Sequence, residues 1–142
     1  LEVFELTQQP ISQLQKQRQG LWSNFAVEIF CLSRPRQELY ARINSRVAEM
    51  FRQGAVGEVQ NLLKSNLSQT ARAVIGIKEI KGYLDGDYDL AEAEREIAQN
   101  SRRYAKRQLT WFRKDKRLQW IEIKEGETPQ TIVNQIVKLL NC

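Results

Sequence analysis

Histidine is absent from the 142 residues, which removes the commonest general base near neutral pH and the commonest zinc ligand. Cysteine occurs twice, as Cys31 inside an apolar run and Cys142 at the last position. That usage suits a reducing compartment, with Cys31 a small core residue. The seven glycines are scattered, and neither a Gly-rich phosphate loop nor a CxxC or HExxH motif is present. No apolar run approaches the roughly 18 residues that cross a bilayer, and there is no secretory apolar core. The expectation is a cytoplasmic protein with no membrane partner. Forty-two per cent hydrophobic and 27 per cent charged residues are ordinary for a globular chain. The length fits one domain or part of a larger one.

Positive charge is present, and it is local. The chain carries 22 Lys and Arg against 17 Asp and Glu, a net charge of +5. "RRYAKRQLTWFRKDKR" (102–117) alone holds eight basic residues, three aromatics and one acid. Removing it leaves 14 basic against 16 acidic residues, a net charge of −2. Such concentration is the pattern of a surface built for a polyanion. On a helical wheel Arg95, Lys106 and Arg113 fall within about 40° of Arg102, with Arg103 and Arg107 a little further round. Leu90, Ala93, Ile97, Tyr104, Trp111 and Phe112 take the opposite arc. The cations lack acidic partners at i±4, so a self-neutralising helix face is the weaker reading. Gln108 aligns with Leu90 and Ile97, where a primary amide needs partners. Thr110 sits among the cations. Gln108 could pair with an adenine edge and Trp111 could stack on a base. For Trp111 a place in the core is the favoured reading.

Around this segment the pattern is α/β and predominantly helical, with two strands and about five helices. "LEVFELT" reads as the last turns of a helix with no cap and no initiator Met, which suggests an excised C-terminal piece. Residues 8–20, Gln-rich and closed by Gly20, read as a loop. "NFAVEIFCLS" (24–33) reads as a buried strand, after which Ser33 caps a helix to Gln53 with Pro35 in its first turn. Its apolar stripe is Leu39, Tyr40, Ile43, Val47, Met50 and Phe51. A helix over 56–64, a loop "SNLSQTA", and a short helix in "VIGIKEIKGYLDG" follow. A long helix then runs from Leu90 to about Arg113. "RLQWIEI" (117–123) reads as a second strand, and "TPQTIVNQIVKLL" as a closing helix capped by Thr128. The divisions are an entry segment over 1–23, a body over 24–124 and a terminal helix over 125–142. Two strands alone make a poor sheet, so further strands are expected upstream.

Two smaller features carry chemistry. Arg36 aligns with Ile43 and Val47 on the core-facing side, where a guanidinium is costly without an anion or a carboxylate. It follows the first strand closely, at the end where open α/β sheets place ligands, so a phosphate site and a structural ion pair are both open. In "RAVIGIKEI" (72–80), Gly76 allows close backbone approach and Lys78 adds a cation, although a helix start explains the glycine equally well.

"LEVFELT", "RQELYARINSRVAEMFRQG", "AVIGIKEIKGYLDGD" and "SRRYAKRQLTWFRKDKRLQW" together resemble the tRNA dimethylallyltransferase (isopentenyl-diphosphate:tRNA transferase) family, in its order and spacing. "AKRQLTWFR" is the most specific of them. The resemblance implies the C-terminal part of a P-loop-like α/β core that binds dimethylallyl diphosphate with Mg²⁺. The prenyl group passes to N6 of an adenosine next to the anticodon, flipped into a channel. It implies tRNA contacts at Ala73, Val74, Ile75, Gly76, Ile77 and Lys78. It implies them also at Lys106, Arg107, Gln108, Leu109, Thr110, Trp111, Phe112 and Arg113, beside Arg102 and Arg103 of the charge pattern. Arg36 matches the arginine of the reaction channel near the diphosphate. The Gly-rich diphosphate loop, the aspartate base and the magnesium ligands are expected upstream of Leu1, with no metal ligand in this chain. The implied partners are a tRNA anticodon stem-loop and dimethylallyl diphosphate, bound by a monomer; this piece alone is expected to be inactive. Pro35 stands where an aspartate is usual, Ile77 where a tyrosine usually follows the glycine, and "TQQP" replaces Thr-Gly-Lys-Pro. The rival readings are a stand-alone helical RNA-binding module without chemistry, and a protein-interaction domain with an incidental basic face.

Overall fold

The computed structural model of the chain describes residues 2–17 and 25–140. Gly20 and Cys142 of the sequence reading lie outside them. The elements are α1 (Glu2–Thr7), α2 (Ile11–Lys16), β1 (Ile29–Ser33), α3 (Arg36–Arg52), α4 (Ala55–Leu62), α5 (Gln69–Arg72), α6 (Ile77–Asp85), α7 (Leu90–Phe112), β2 (Leu118–Glu122) and α8 (Pro129–Leu140). The class is as expected, mostly helical with a small parallel sheet. The described helices number eight rather than about five.

The extra helices lie where loops were expected. Pro10 occupies the N-cap of α2 at φ −60° and ψ 137°, a position where its missing N–H costs nothing. The Gln and Lys behind it are good helix formers. In the other loop Ser68 caps α5, its hydroxyl accepting the Ala71 N–H at 3.2 Å. Both are punctuation residues that begin helices as readily as they mark turns.

β1 is shorter than the expected 24–33, because only the stretch facing β2 can form a ladder. The two pair in parallel, from Ile29 opposite Leu118 to Ser33 opposite Glu122. The Ile123 N–H adds a bond to the Ser33 carbonyl at 2.8 Å. Ser33 therefore serves the sheet rather than capping α3, whose N-cap is Pro35 with no side-chain cap bond. Phe25, outside the ladder, is 63% exposed.

Val47 of α3, Val59 of α4, Ile80 of α6, and Ile97 and Ala98 of α7 form one core, with Ile43, Phe51 and Leu84 packed around it. Met50 of the expected α3 stripe is left at the surface. The first half of α7 is thus the spine of a helical body. Among the described residues no helix is long and apolar enough to cross a membrane.

The turn from α7 into β2 is held by Asp115. Its carboxylate accepts the Arg117 Nε–H at 2.8 Å and the Arg117 backbone N–H at 3.0 Å. The Arg117 side chain, and then its backbone N–H, hold the Asp115 carboxyl down at about 2, below the ordinary 3.8. The folded value is the lower one, so the contribution is complete above about pH 4 and is lost as pH falls through 2. Carboxyl-detected NMR titration should place the Asp115 midpoint near 2, rising toward 3.8 in Arg117→Ala. An unchanged midpoint in the variant would remove Arg117 as the cause.

Candidate nucleic-acid interface

The helix that carries the basic segment is α7. Asp89 caps it, accepting the Glu92 N–H at 2.7 Å, and its 23 residues contain neither Gly nor Pro. At 1.5 Å per residue it is about 34 Å long. Ala93 and Ile97 are buried, whereas Tyr104 is 49% exposed and Trp111 66% exposed. Beyond Arg102 the side turned to the protein is the half-buried stripe Ala105, Leu109 and Phe112. That stripe is rotated away from Tyr104 and Trp111, so the expected core position of Trp111 is corrected. The wheel assumed one packing direction along the helix, but the first half packs into the helical core while the second lines a cleft beside β1.

The cations of the second half keep their charge. Among the described residues, none of Arg102, Arg103, Lys106, Arg107 and Arg113 pairs with a carboxylate. Arg102 donates to Asn44 Oδ1 at 2.5 Å and Arg103 to Asn100 Oδ1 at 3.4 Å, both neutral acceptors. The Arg107 guanidinium lies 5.7 Å from the centre of the Tyr104 ring. Arg95 does find an acid, Glu92 one turn back, so the unneutralised row begins at Arg102. Thr110, exposed on the same surface, donates its hydroxyl to the Lys106 carbonyl at 2.9 Å. Arg103, Lys106, Arg107, Thr110, Trp111 and Lys114 line an open hollow of about 480 Å³.

Gln108 was expected on the apolar side with a need for partners. It is exposed, so water satisfies the amide, and it lines a cleft of about 330 Å³ with Cys31, Ser33, Leu39 and Ile123. The cleft opens at the carboxyl ends of both strands, and burial pushes the Cys31 thiol up.

Arg36 is also exposed, not core-facing, because it is the first residue of α3 and precedes the part of the helix that packs. Its Nε donates to the Tyr40 hydroxyl at 3.0 Å and its guanidinium lies 5.0 Å from that ring's centre. The nearby carboxylate of Glu38 is taken by Arg34 at 2.5 Å. Tyr40 thus orients Arg36 without neutralising it.

In the segment 73–78, Val74 is 52% exposed, Lys78 is exposed, and Ile75 and Ile77 pack against the core. Gly76 is buried at φ +105°, a backbone conformation side chains resist, as the N-cap of α6. The residue that holds it there was missed from sequence. Glu79, only 6% exposed, reaches back to accept the Gly76 N–H at 2.7 Å. Its other oxygen accepts the Asn100 side-chain N–H at 2.8 Å, and Asn100 in turn accepts from Arg103. The Tyr88 hydroxyl donates to the Glu79 carbonyl at 2.8 Å, and burial first, then Glu79, raises its pKa. A Cβ at Gly82 would collide with the Tyr88 ring. One chain of bonds, from Gly76 through Glu79 and Asn100 to Arg103, joins the two segments singled out as RNA contacts. The legible signal was a glycine followed three residues later by a glutamate, the spacing of an acid that bonds back to a helix start.

The profile of the IPP transferase family matches residues 1–115. The chain belongs to the IPP transferase family. A tRNA dimethylallyltransferase of Natranaerobius thermophilus is 43% identical over 97% of this chain and 42% of its own length. That of Halothermothrix orenii is 43% identical over 98% of this chain and 43% of its own length. The chain therefore spans less than half of these relatives. Among solved structures, a tRNA isopentenylpyrophosphate transferase from Bacillus halodurans superposes with a TM-score of 0.73 at 35% identity, over 80% of this chain and 38% of that one. A tRNA delta(2)-isopentenylpyrophosphate transferase from Staphylococcus epidermidis gives 0.75 at 32% identity, over 97% of this chain and 45% of that one. The fold of the chain is thus that of these family structures over most of its length.

Proposed function

We propose that this chain is the RNA-gripping part of a tRNA prenyltransferase, which moves the dimethylallyl group of dimethylallyl diphosphate to N6 of the adenosine beside the anticodon. The observation that carries the reading is the exposed row Arg103, Lys106, Arg107 and Arg113, without carboxylate partners among the described residues. It occurs in a chain whose relatives are named tRNA dimethylallyltransferases. Extruding a base from its stack costs a few kcal/mol, so the stem-loop must be held by its phosphates while the base is out. The basic row of α7 and the segment 73–78 provide that hold.

In the transfer, a bond forms between N6 and C1 of the dimethylallyl group, the bond from C1 to the diphosphate oxygen breaks, and the N6 proton passes to a base. The N6 lone pair is delocalised into the ring, so the departing diphosphate has to be neutralised as it leaves. Arg36 is this chain's contribution to that step. It stands at the carboxyl end of β1, exposed and oriented by Tyr40. The diphosphate loop and the base are assigned to the part of the relatives that this chain does not span. The magnesium ligands implied by the family are assigned to that same part.

In a chain of full family length, Arg36→Ala should slow transfer by about a hundredfold, the scale of losing one charged stabiliser, with little change in RNA affinity. Lys106→Ala should do the reverse. Steady-state kinetics beside a binding titration decides the matter, and equal effects on both quantities would defeat this division. A binding module without chemistry is the outcome if the full-length chain binds the stem-loop and transfers nothing, whereas transfer untouched by Arg36→Ala would remove Arg36 from the step.

A further inference from the structure

Arg42 and Arg46 of α3 are exposed, one helical turn apart, and lie outside the basic row of α7. At that spacing their Cβ atoms are about 5–6 Å from each other, so the two charges repel. An acid stands within one turn of each, Glu38 four residues before Arg42 and Glu49 three after Arg46. Neither serves. Glu38 is taken by Arg34 at 2.5 Å, and Glu49 by Arg52 and by the Gln53 amide, the latter at 2.8 Å. Among the described residues neither Arg42 nor Arg46 pairs with a carboxylate. Two adjacent like charges whose neighbouring acids are engaged elsewhere are poised for an anion that the described chain does not supply.

The pair lines an open hollow of about 640 Å³ with Leu39, Ile43, Ser45 and Glu49. Leu39 also lines the cleft at the carboxyl ends of the strands, together with Ala105, Gln108 and Leu109 of α7. The cleft therefore has α3 with its arginine pair to one side and α7 with its basic row to the other. Asn44, two residues from each arginine, accepts from Arg102 at 2.5 Å and so ties the two helices together. Charge complementarity selects an occupant that meets both sets of cations, and a nucleic-acid strand does so because it carries a charge at every residue. A guanidinium takes a phosphate by two parallel bonds, and two of them one turn apart can reach successive phosphates. A base drawn out of its stack returns readily if its backbone is held on one side alone, so a grip on both sides of the cleft serves the extrusion.

We infer that Arg42 and Arg46 form a second phosphate site, which holds the RNA strand on the α3 side of the cleft while the row of α7 holds it on the other. The inference rests on the RNA reading given above and adds to it a site on a different helix.

The test titrates this chain and its variants with an anticodon stem-loop RNA between 50 mM and 1 M salt. Ethylation interference then maps the phosphates that each protein needs. The double variant Arg42→Ala, Arg46→Ala should lose affinity about a hundredfold at 50 mM salt, with the slope of log affinity against log salt reduced by about 1.5 to 2. It should converge with wild type at 1 M. The double variant Arg42→Lys, Arg46→Lys should keep most of the slope, since counterion release follows charge. The phosphates that cease to matter in the alanine variant should differ from those lost in Lys106→Ala. Melting curves should coincide, because both side chains are exposed. Unchanged affinity and slope, a loss equal at every salt concentration, or loss of the same phosphates as in Lys106→Ala would overturn the second site and leave the row of α7 intact. Binding of wild type without any salt dependence would instead overturn the RNA reading, and this site with it.

Discussion

Glu79→Ala should lower the unfolding free energy by about 3 kcal/mol, since it strands one buried donor at roughly 1–3 kcal/mol and removes a half-buried bond to the same charged acceptor. The donors are the buried Gly76 N–H, which cannot turn to water without opening the junction of α6 with α7, and the half-buried Asn100 amide. Glu79→Gln should cost about half as much, because one amide oxygen can serve one donor while its NH₂ opposes the other. Urea denaturation of the three proteins checks this ordering. The same substitution frees Asn100, and through it Arg103, so RNA affinity should fall although Glu79 is buried and cannot touch RNA. Stability like that of wild type in Glu79→Ala would show that the junction is held by the apolar core alone.

The second large effect belongs to the basic row. Replacing Lys106, Arg107 and Arg113 together by alanine should reduce stem-loop affinity about a thousandfold at 50 mM salt. Each phosphate contact contributes roughly 0.7–0.9 to the slope of log affinity against log salt, so three contacts amount to about that factor between 1 M and 50 mM. The slope should fall by about 2 to 3, and the two affinities should converge at high salt. All three side chains are exposed, so the melting transition should not move by more than about 1 kcal/mol in free energy. A uniform loss at every salt concentration would mean that a shape change, not charge, explains the result.

These two predictions draw on different levels of legibility. The row itself was plain from residues 102–113, because like charge without acids at i±4 cannot be hidden inside a protein. The span of α7 was equally plain, from Asp89 as its cap to the absence of Gly and Pro. Arg36 was singled out by its wheel position and its place just after the first strand, with the channel role added by resemblance, and the core-facing placement was wrong. A wheel takes no account of where a helix begins to touch its neighbours, and Arg36 precedes that point. Trp111 was misplaced for a related reason. The side of α7 turned to the protein changes between Ile97, in the helical core, and Leu109, which lines the cleft beside β1, and tertiary packing alone sets that change. Ser33 illustrates the competition between local and distant partners. A serine near a helix start is a good cap, but the ladder with β2 claimed its backbone first.

Charge distribution, helix type and family were settled by local chemistry, which depends on neighbours within a few residues and so is written in the order of the chain. The Glu79–Asn100–Arg103 relay, the exposure of Trp111, and the pairing of Ile29–Ser33 with Leu118–Glu122 depend on groups far apart in that order. Burial is a property of the whole packed body rather than of a segment. Only folding could decide which charged group lies inside it and which aromatic remains in water.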